Sequence, residues 1–190
     1  ADLSKLEGNR ANSHGGGFYA RGKVTITDVN ISGNTGGDGN EEHGGGFYAI
    51  GLKSDIDLVD VNITGNTAEE DGGGFYATAR ADVSMSLQNN TTIEIKDNVL
   101  ERDDSQGVLF TAEGGAKVDI DASDSGQGLD ISGNTYSNAG GGADGGAFFA
   151  GSGTDVKINT ATTAIITGYG NDGGDGGGFY AGTYAKVDLT

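Results

Sequence analysis

Six residues, GGGFYA, recur at Gly15 to Ala20, Gly44 to Ala49, Gly72 to Ala77 and Gly176 to Ala181. A fifth copy, Gly145 to Ala150, reads GGAFFA, and the most divergent, Gly107 to Ala112, reads GVLFTA. A second signature alternates with the first. It is ISGNT at Ile31 to Thr35, with variants at Ile63 to Thr67, Ile95 to Val99 and Ile131 to Thr135, and looser forms at Leu6 to Arg10 and Ile166 to Gly170. The second signatures start near 6, 31, 63, 95, 131 and 166, spacings of 25, 32, 32, 36 and 35 residues. Self-similarity at such a period marks a repeat array, so residues 1–190 are expected to form one solenoid domain.

Between the signatures the apolar residues alternate: Val24 and Ile26, then Val29 and Ile31; Ile56 and Leu58, then Val61 and Ile63; Val83, Met85 and Leu87, then Ile93 and Ile95. Alternation over four to six residues, broken by Gly, Asn and Asp, reads as short half-buried strands. The expected fold is all-β, a parallel β-solenoid of about six coils with three short strands per coil. A single coil cannot bury its apolar side chains, and stacking does so.

Parity then assigns columns along the axis. Phe18, Phe47, Phe75, Phe110, Phe148 and Phe179 are predicted to point inward as a core ladder. Asn9, Asn34, Asn66, Asn98 and Asn134 fall in register, where stacked amides can hydrogen-bond from coil to coil, and Tyr169 is expected to break that ladder. Tyr19, Tyr48, Tyr76, Phe149 and Tyr180 are predicted to point outward, with Thr111 among them. Such a stripe is a candidate for stacking on sugars or docking a partner, unless the rings cover one another and the flanking loops cover them.

The residue before the glycines runs His14, His43, Asp71, Gln106, Asp144 and Asp175, with Glu41, Glu42, Glu69 and Glu70 nearby. Oxygen ligands in a column make Ca²⁺ the candidate cation, with Asp71, Asp144, Asp175, His14 and His43 as the candidate metal residues. Loops that splay apart in water are the competing reading. No other cofactor is indicated. The GGDGGGFY stretch from Gly173 lacks the aspartate of the calcium-binding nonapeptide repeat.

The 28 acidic and 11 basic residues give a net charge of −17, which argues against nucleic acid as a partner. There is no cysteine for a disulfide or thiol chemistry, and no run long enough for a membrane span. No charged-then-apolar leader precedes Ala1, so a mature or excised start is expected. Arg102 beside Asp103 and Asp104 is the best local charged cluster, but no hydrolase motif occurs and no catalytic residue is assigned. Coil four is atypical: it lacks the triple glycine, and Asp121 to Gly128 adds an insertion.

The pairing of GGAF at Gly145 to Phe148 with ISGN at Ile31 to Asn34 resembles the alternating GGAI and F-x-x-N segments of chlamydial-type polymorphic outer-membrane proteins and related autotransporter passengers. The resemblance covers nearly the whole chain, with Phe for the aliphatic residue and Ile for the first aromatic. It implies a right-handed parallel β-helix, extracellular or on a cell surface, with a structural or adhesive role and no catalytic residues. Thr190 closes the second strand of a coil, and Ala1 to Asn9 supplies a third-strand segment. The expected partners are therefore flanking repeats of a longer chain or head-to-tail copies forming a filament, together with a glycan or host-surface ligand. A polysaccharide-binding or polysaccharide-degrading β-helix is the alternative.

Overall fold

The fold is taken from a computed structural model that describes residues 4–37, 42–90, 92–102, 105–137, 146–161, 165–169 and 178–190. Every strand pairing in it is parallel, and the strands lie in three sheets running along one axis, as in a β-solenoid. The first sheet stacks Phe18–Ala20, Phe47–Ile50, Phe75–Thr78, Phe110–Ala112, Phe148–Ala150 and Phe179–Ala181, which define levels one to six. The second stacks Lys23–Thr27, Asp55–Val59, Asp82–Ser86, Lys117–Ala122, Asp155–Thr160 and Lys186–Leu189. The third contains Ser4–Glu7, Val29–Ser32, Asn62–Thr64, Thr92–Lys96, Gly128–Tyr136 and Ile165–Tyr169.

The three sheets match the expected three strands per coil, and the third carries an additional short segment. A fourth, two-residue rung follows each asparagine: Arg10–Ala11, Thr35–Gly36, Thr67–Ala68 and Val99–Leu100. On level four Gly128–Tyr136 runs through both segments, which joins these rungs to the third sheet.

The phenylalanines form the predicted column. Adjacent rings lie 4.8, 4.7, 4.9, 5.0 and 5.1 Å apart from Phe18 to Phe179, nearly parallel throughout. Phe47, Phe75, Phe110 and Phe148 are fully buried, whereas Phe179 on the last described level is 41% exposed. Each stacked pair adds about 0.5–1.5 kcal/mol beyond simple burial.

Asn34, Asn66, Asn98 and Asn134 are completely buried, and their amides satisfy one another. Asn66 shows the unit. Its Oδ1 accepts the backbone N–H and the Nδ2–H of Asn34, both at 3.0 Å. Its Nδ2 donates to Asn98 Oδ1 at 3.1 Å and to the Ile31 carbonyl at 2.9 Å. Both donors and both acceptor sites of the amide are thus used. The residue before each asparagine turns the corner with positive φ: Gly33 at 58°, Gly65 at 62°, Gly133 at 67°, and Asp97 at 56°. Gly168, not Tyr169, stands opposite Asn134, because the register slips between Ile131 and Asn134. The ladder therefore stops at a shortened turn.

The two signatures interlock in space. A methyl group on Gly45 would lie 2.3 Å from the Gly73 carbonyl oxygen and 2.6 Å from the backbone of Thr67. One on Gly46 would lie 2.4 Å from the Gly74 carbonyl and 3.3 Å from the Asn66 amide nitrogen. The glycines let this corner approach both the next rung and the asparagine ladder. Level four, where the sequence pattern loosens, remains well packed. Val108 and Leu109 are fully buried there, and Val108 forms a small separate cluster with Ala68 and Leu100 against Tyr136.

Asp60, also at positive φ, ties the second-to-third-strand corner to the level above. Its buried carboxylate accepts the backbone N–H groups of Gln88, Asn89 and Asn90 at 2.9, 2.9 and 3.1 Å. Burial alone would raise its pKa, but these bonds outweigh burial and hold it below the usual carboxylate value.

Asn66→Ala strands two buried donors of Asn34 and is expected to cost roughly 3–5 kcal/mol, whereas Asn9→Ala at the exposed end costs about 1 kcal/mol or less. Urea unfolding of both variants checks this, and equal losses would refute it. Gly45→Ala is expected to cost about 3 kcal/mol, while Gly22→Ala, where an added methyl meets nothing within 4 Å, stays within about 0.5 kcal/mol. Thermal melts of the two variants give the comparison.

Candidate binding groove on the aromatic face

The outward column of the first sheet is in register as predicted, but most of it is not an exposed stripe. Tyr19 is 43% exposed, whereas Tyr48, Tyr76 and Phe149 are only 6, 6 and 7% exposed, and Tyr180 is half-buried. The cover on the lower levels is imidazole. His14 stacks on Tyr48 and His43 on Tyr76, both at 4.5 Å, and the two imidazoles stack on each other at 5.3 Å. The tyrosines also stack directly, Tyr19 on Tyr48 at 5.3 Å and Tyr48 on Tyr76 at 5.2 Å. The column ahead of the glycines thus forms a second layer over the ring column.

Of the five candidate calcium residues, the fold brings three together. His14 Nδ1 accepts the His43 backbone N–H at 3.4 Å, and His43 Nδ1 lies 3.2 Å from Asp71 Oδ2. Asp144 and Asp175 lie outside the described residues, as do Glu41, Asp103 and Asp104. Among the described residues, no three His, Asp or Glu side chains converge as a metal set. Arg102 is bonded to Glu70.

The His43 imidazole is partly buried, which disfavours its charge. Asp71 beside it, followed by Glu70 and Glu113, outweighs burial and raises its pKa above 6.5. Burial, then the bond to Glu113, pushes the Tyr76 phenol upward, so it remains a donor, with its O–H 2.6 Å from Glu113 Oε2.

Where rings give way to smaller residues, the surface opens. On levels three and four Asp71 and Thr111 stand where His43 and Tyr76 stand one level below. A polar cavity of about 230 Å³ lies there, lined by Glu70, Asp71, Ser105, Gln106 and Glu113. A second, of about 350 Å³, extends from Glu113 past Phe149 and Gly151 to Tyr180 and Gly182. Its origin is one further column. The residue after the FYA segment is Arg21, Ile50, Thr78 and Glu113 on levels one to four, and glycine at Gly151 and Gly182. Arg21 covers Tyr19, its Nε donating to the phenol oxygen at 2.7 Å. At Gly151 and Gly182 no side chain occupies that position, and the second cavity lies beside Phe149 and Tyr180, which stack at 4.8 Å.

Glu113 bounds both cavities and bonds to Tyr76, yet sequence reasoning did not single it out. Aligning the residue after each FYA would have shown a carboxylate followed by two glycines. No family model matches the chain, and no curated protein or solved structure matches it.

Because the folded-state pKa of His43 is raised, its contribution to stability is complete below about pH 6.5 and is lost as pH rises through the higher folded value. His43→Gln should flatten that segment of the stability profile in thermal melts across about pH 5–9. An unchanged slope in the variant would rule out His43 as its source.

Proposed function

We propose that this chain is a non-enzymatic structural and adhesive β-solenoid, working outside the cell or on its surface. One observation carries the proposal: the phenylalanine stack and the saturated asparagine ladder run from level to level without a gap through Asn134. Such columns fix the backbone rigidly while leaving the outer positions of each strand free to vary, a combination suited to displaying a surface along an axis. The likeness of GGAF and ISGN to surface-displayed passenger repeats points the same way. On the last described level Phe179 and Leu189 are 41% and 45% exposed. In-register rungs, from flanking repeats or from another copy, would extend the stack there by strand addition. The pairing of His43 with Asp71 and of Arg102 with Glu70 supports a role that does not depend on bound Ca²⁺.

Beads coated with the chain should bind to cell surfaces above an albumin control, and the chain should release no reducing ends from plant or bacterial polysaccharides. Retention equal to the control overturns the adhesive role. Release of sugar product overturns the non-enzymatic one.

A further inference from the structure

Three irregularities in three adjacent columns coincide on one face. Asp71 replaces a histidine, Thr111 replaces a tyrosine, and Gly151 and Gly182 replace larger residues. Separately, each is a lapse in a repeat. Together they leave two cavities that share Glu113 as a common wall.

The chemistry of the walls selects an occupant. One end is acidic and hydrogen-bonding, and its carboxylates are held in place. Asp71 accepts the Gln106 N–H at 2.7 Å and faces His43, Glu70 is bonded to Arg102, and Glu113 is bonded to Tyr76. A carboxylate has about four acceptor sites, so each retains capacity for further donors. The other end is mixed, with Phe149 and the half-buried Tyr180 beside Ser152, Thr183 and two glycines. A ligand that donates several hydroxyls at one end and offers C–H surface at the other fits both. A polyanion does not, given three carboxylates and a net charge of −17.

We propose that the groove running from Asp71 past Glu113 to Tyr180 binds a neutral oligosaccharide, with carboxylates accepting its hydroxyls and the half-buried Tyr180 contacting a sugar ring. This rests on the adhesive reading and gives it a ligand class and a site.

The test is amide chemical-shift titration of the intact chain with cellohexaose and chitohexaose as neutral probes and hexagalacturonate as the acidic comparator. At least one neutral probe should produce saturable shifts at Glu113 to Gly115 and Gly151 to Gly153, and the acidic one none. Gly151→Leu places a side chain in the groove. Its first carbon would lie 3.1 Å from Glu113 Cγ, 3.2 Å from a Phe149 ring carbon and 3.3 Å from the Ala112 carbonyl oxygen, so these neighbours must give by a few tenths of an ångström. This variant should weaken binding by about tenfold or more. Tyr180→Ser should do the same and serves if the leucine variant fails to fold. Saturable shifts with neither neutral probe, tighter binding of hexagalacturonate, or full binding by a folded groove variant would overturn the proposal. A chain that still adheres to cells without these shifts loses the glycan site and keeps the adhesive role.

Discussion

The buried asparagine ladder is the interaction on which the rest of the molecule depends. A primary amide inside an apolar core costs several kcal/mol unless all its hydrogen bonds are made. Here they are made only if the next coil repeats the same residue at the same height. Asn34 is satisfied by Asn66 and Asn66 by Asn98, each also bonding the carbonyl three residues before the preceding asparagine. A slip of register anywhere between Asn9 and Asn134 would leave buried donors unpaired on both sides of it. The ladder thus specifies alignment in a way the phenylalanine stack, which tolerates sliding, does not. It also explains the left-handed residue before each asparagine, since only that turn carries the amide inward.

The glycine triplet follows from the same geometry. Its third member lies against the asparagine amide, and its second against the backbone just beyond it. A side chain at either position would push the first sheet away from the third and open the ladder. Level four reaches an equivalent closeness by another route. Val108 has a side chain, but Leu100 and Ala68 form a pocket for it, and both Val108 and Leu109 are buried without residual exposure. A divergent repeat in the sequence therefore corresponds to a change in packing and not to a weak level.

The inward columns were legible because period-two alternation and identical spacing depend on backbone geometry alone. Phe47, Phe75, Asn34 and Asn66 needed only parity to be placed. The exposure of Tyr48 and Tyr76 could not be read this way, since it depends on His14 and His43, which arrive from loops whose lengths differ between coils. Parity gives the direction of a side chain and says nothing about what lies over it. The two-residue rungs after the asparagines were too short to show alternation. Gly168 was misaligned because a deleted residue in the turn shifts register without altering composition.

A division of labour between the columns follows. Positions facing inward are coupled to the levels above and below, so a change at one is felt at its neighbours. Positions facing outward are coupled only through side-chain contacts and can vary one level at a time. Tyr76, Thr111 and Phe149 share one column, yet the loss of an aromatic ring at Thr111 ends the tyrosine stack on the level where the two cavities meet at Glu113. Chemistry in such a fold is therefore to be sought where an outward column breaks its own repeat while the inward columns beneath it remain intact. Phe110 and Phe148 still stack at 5.0 Å directly beneath the break, so the groove above them rests on an undisturbed core. A surface opening of this kind costs the fold little, because none of the buried amides or rings that hold the coils together is involved in making it.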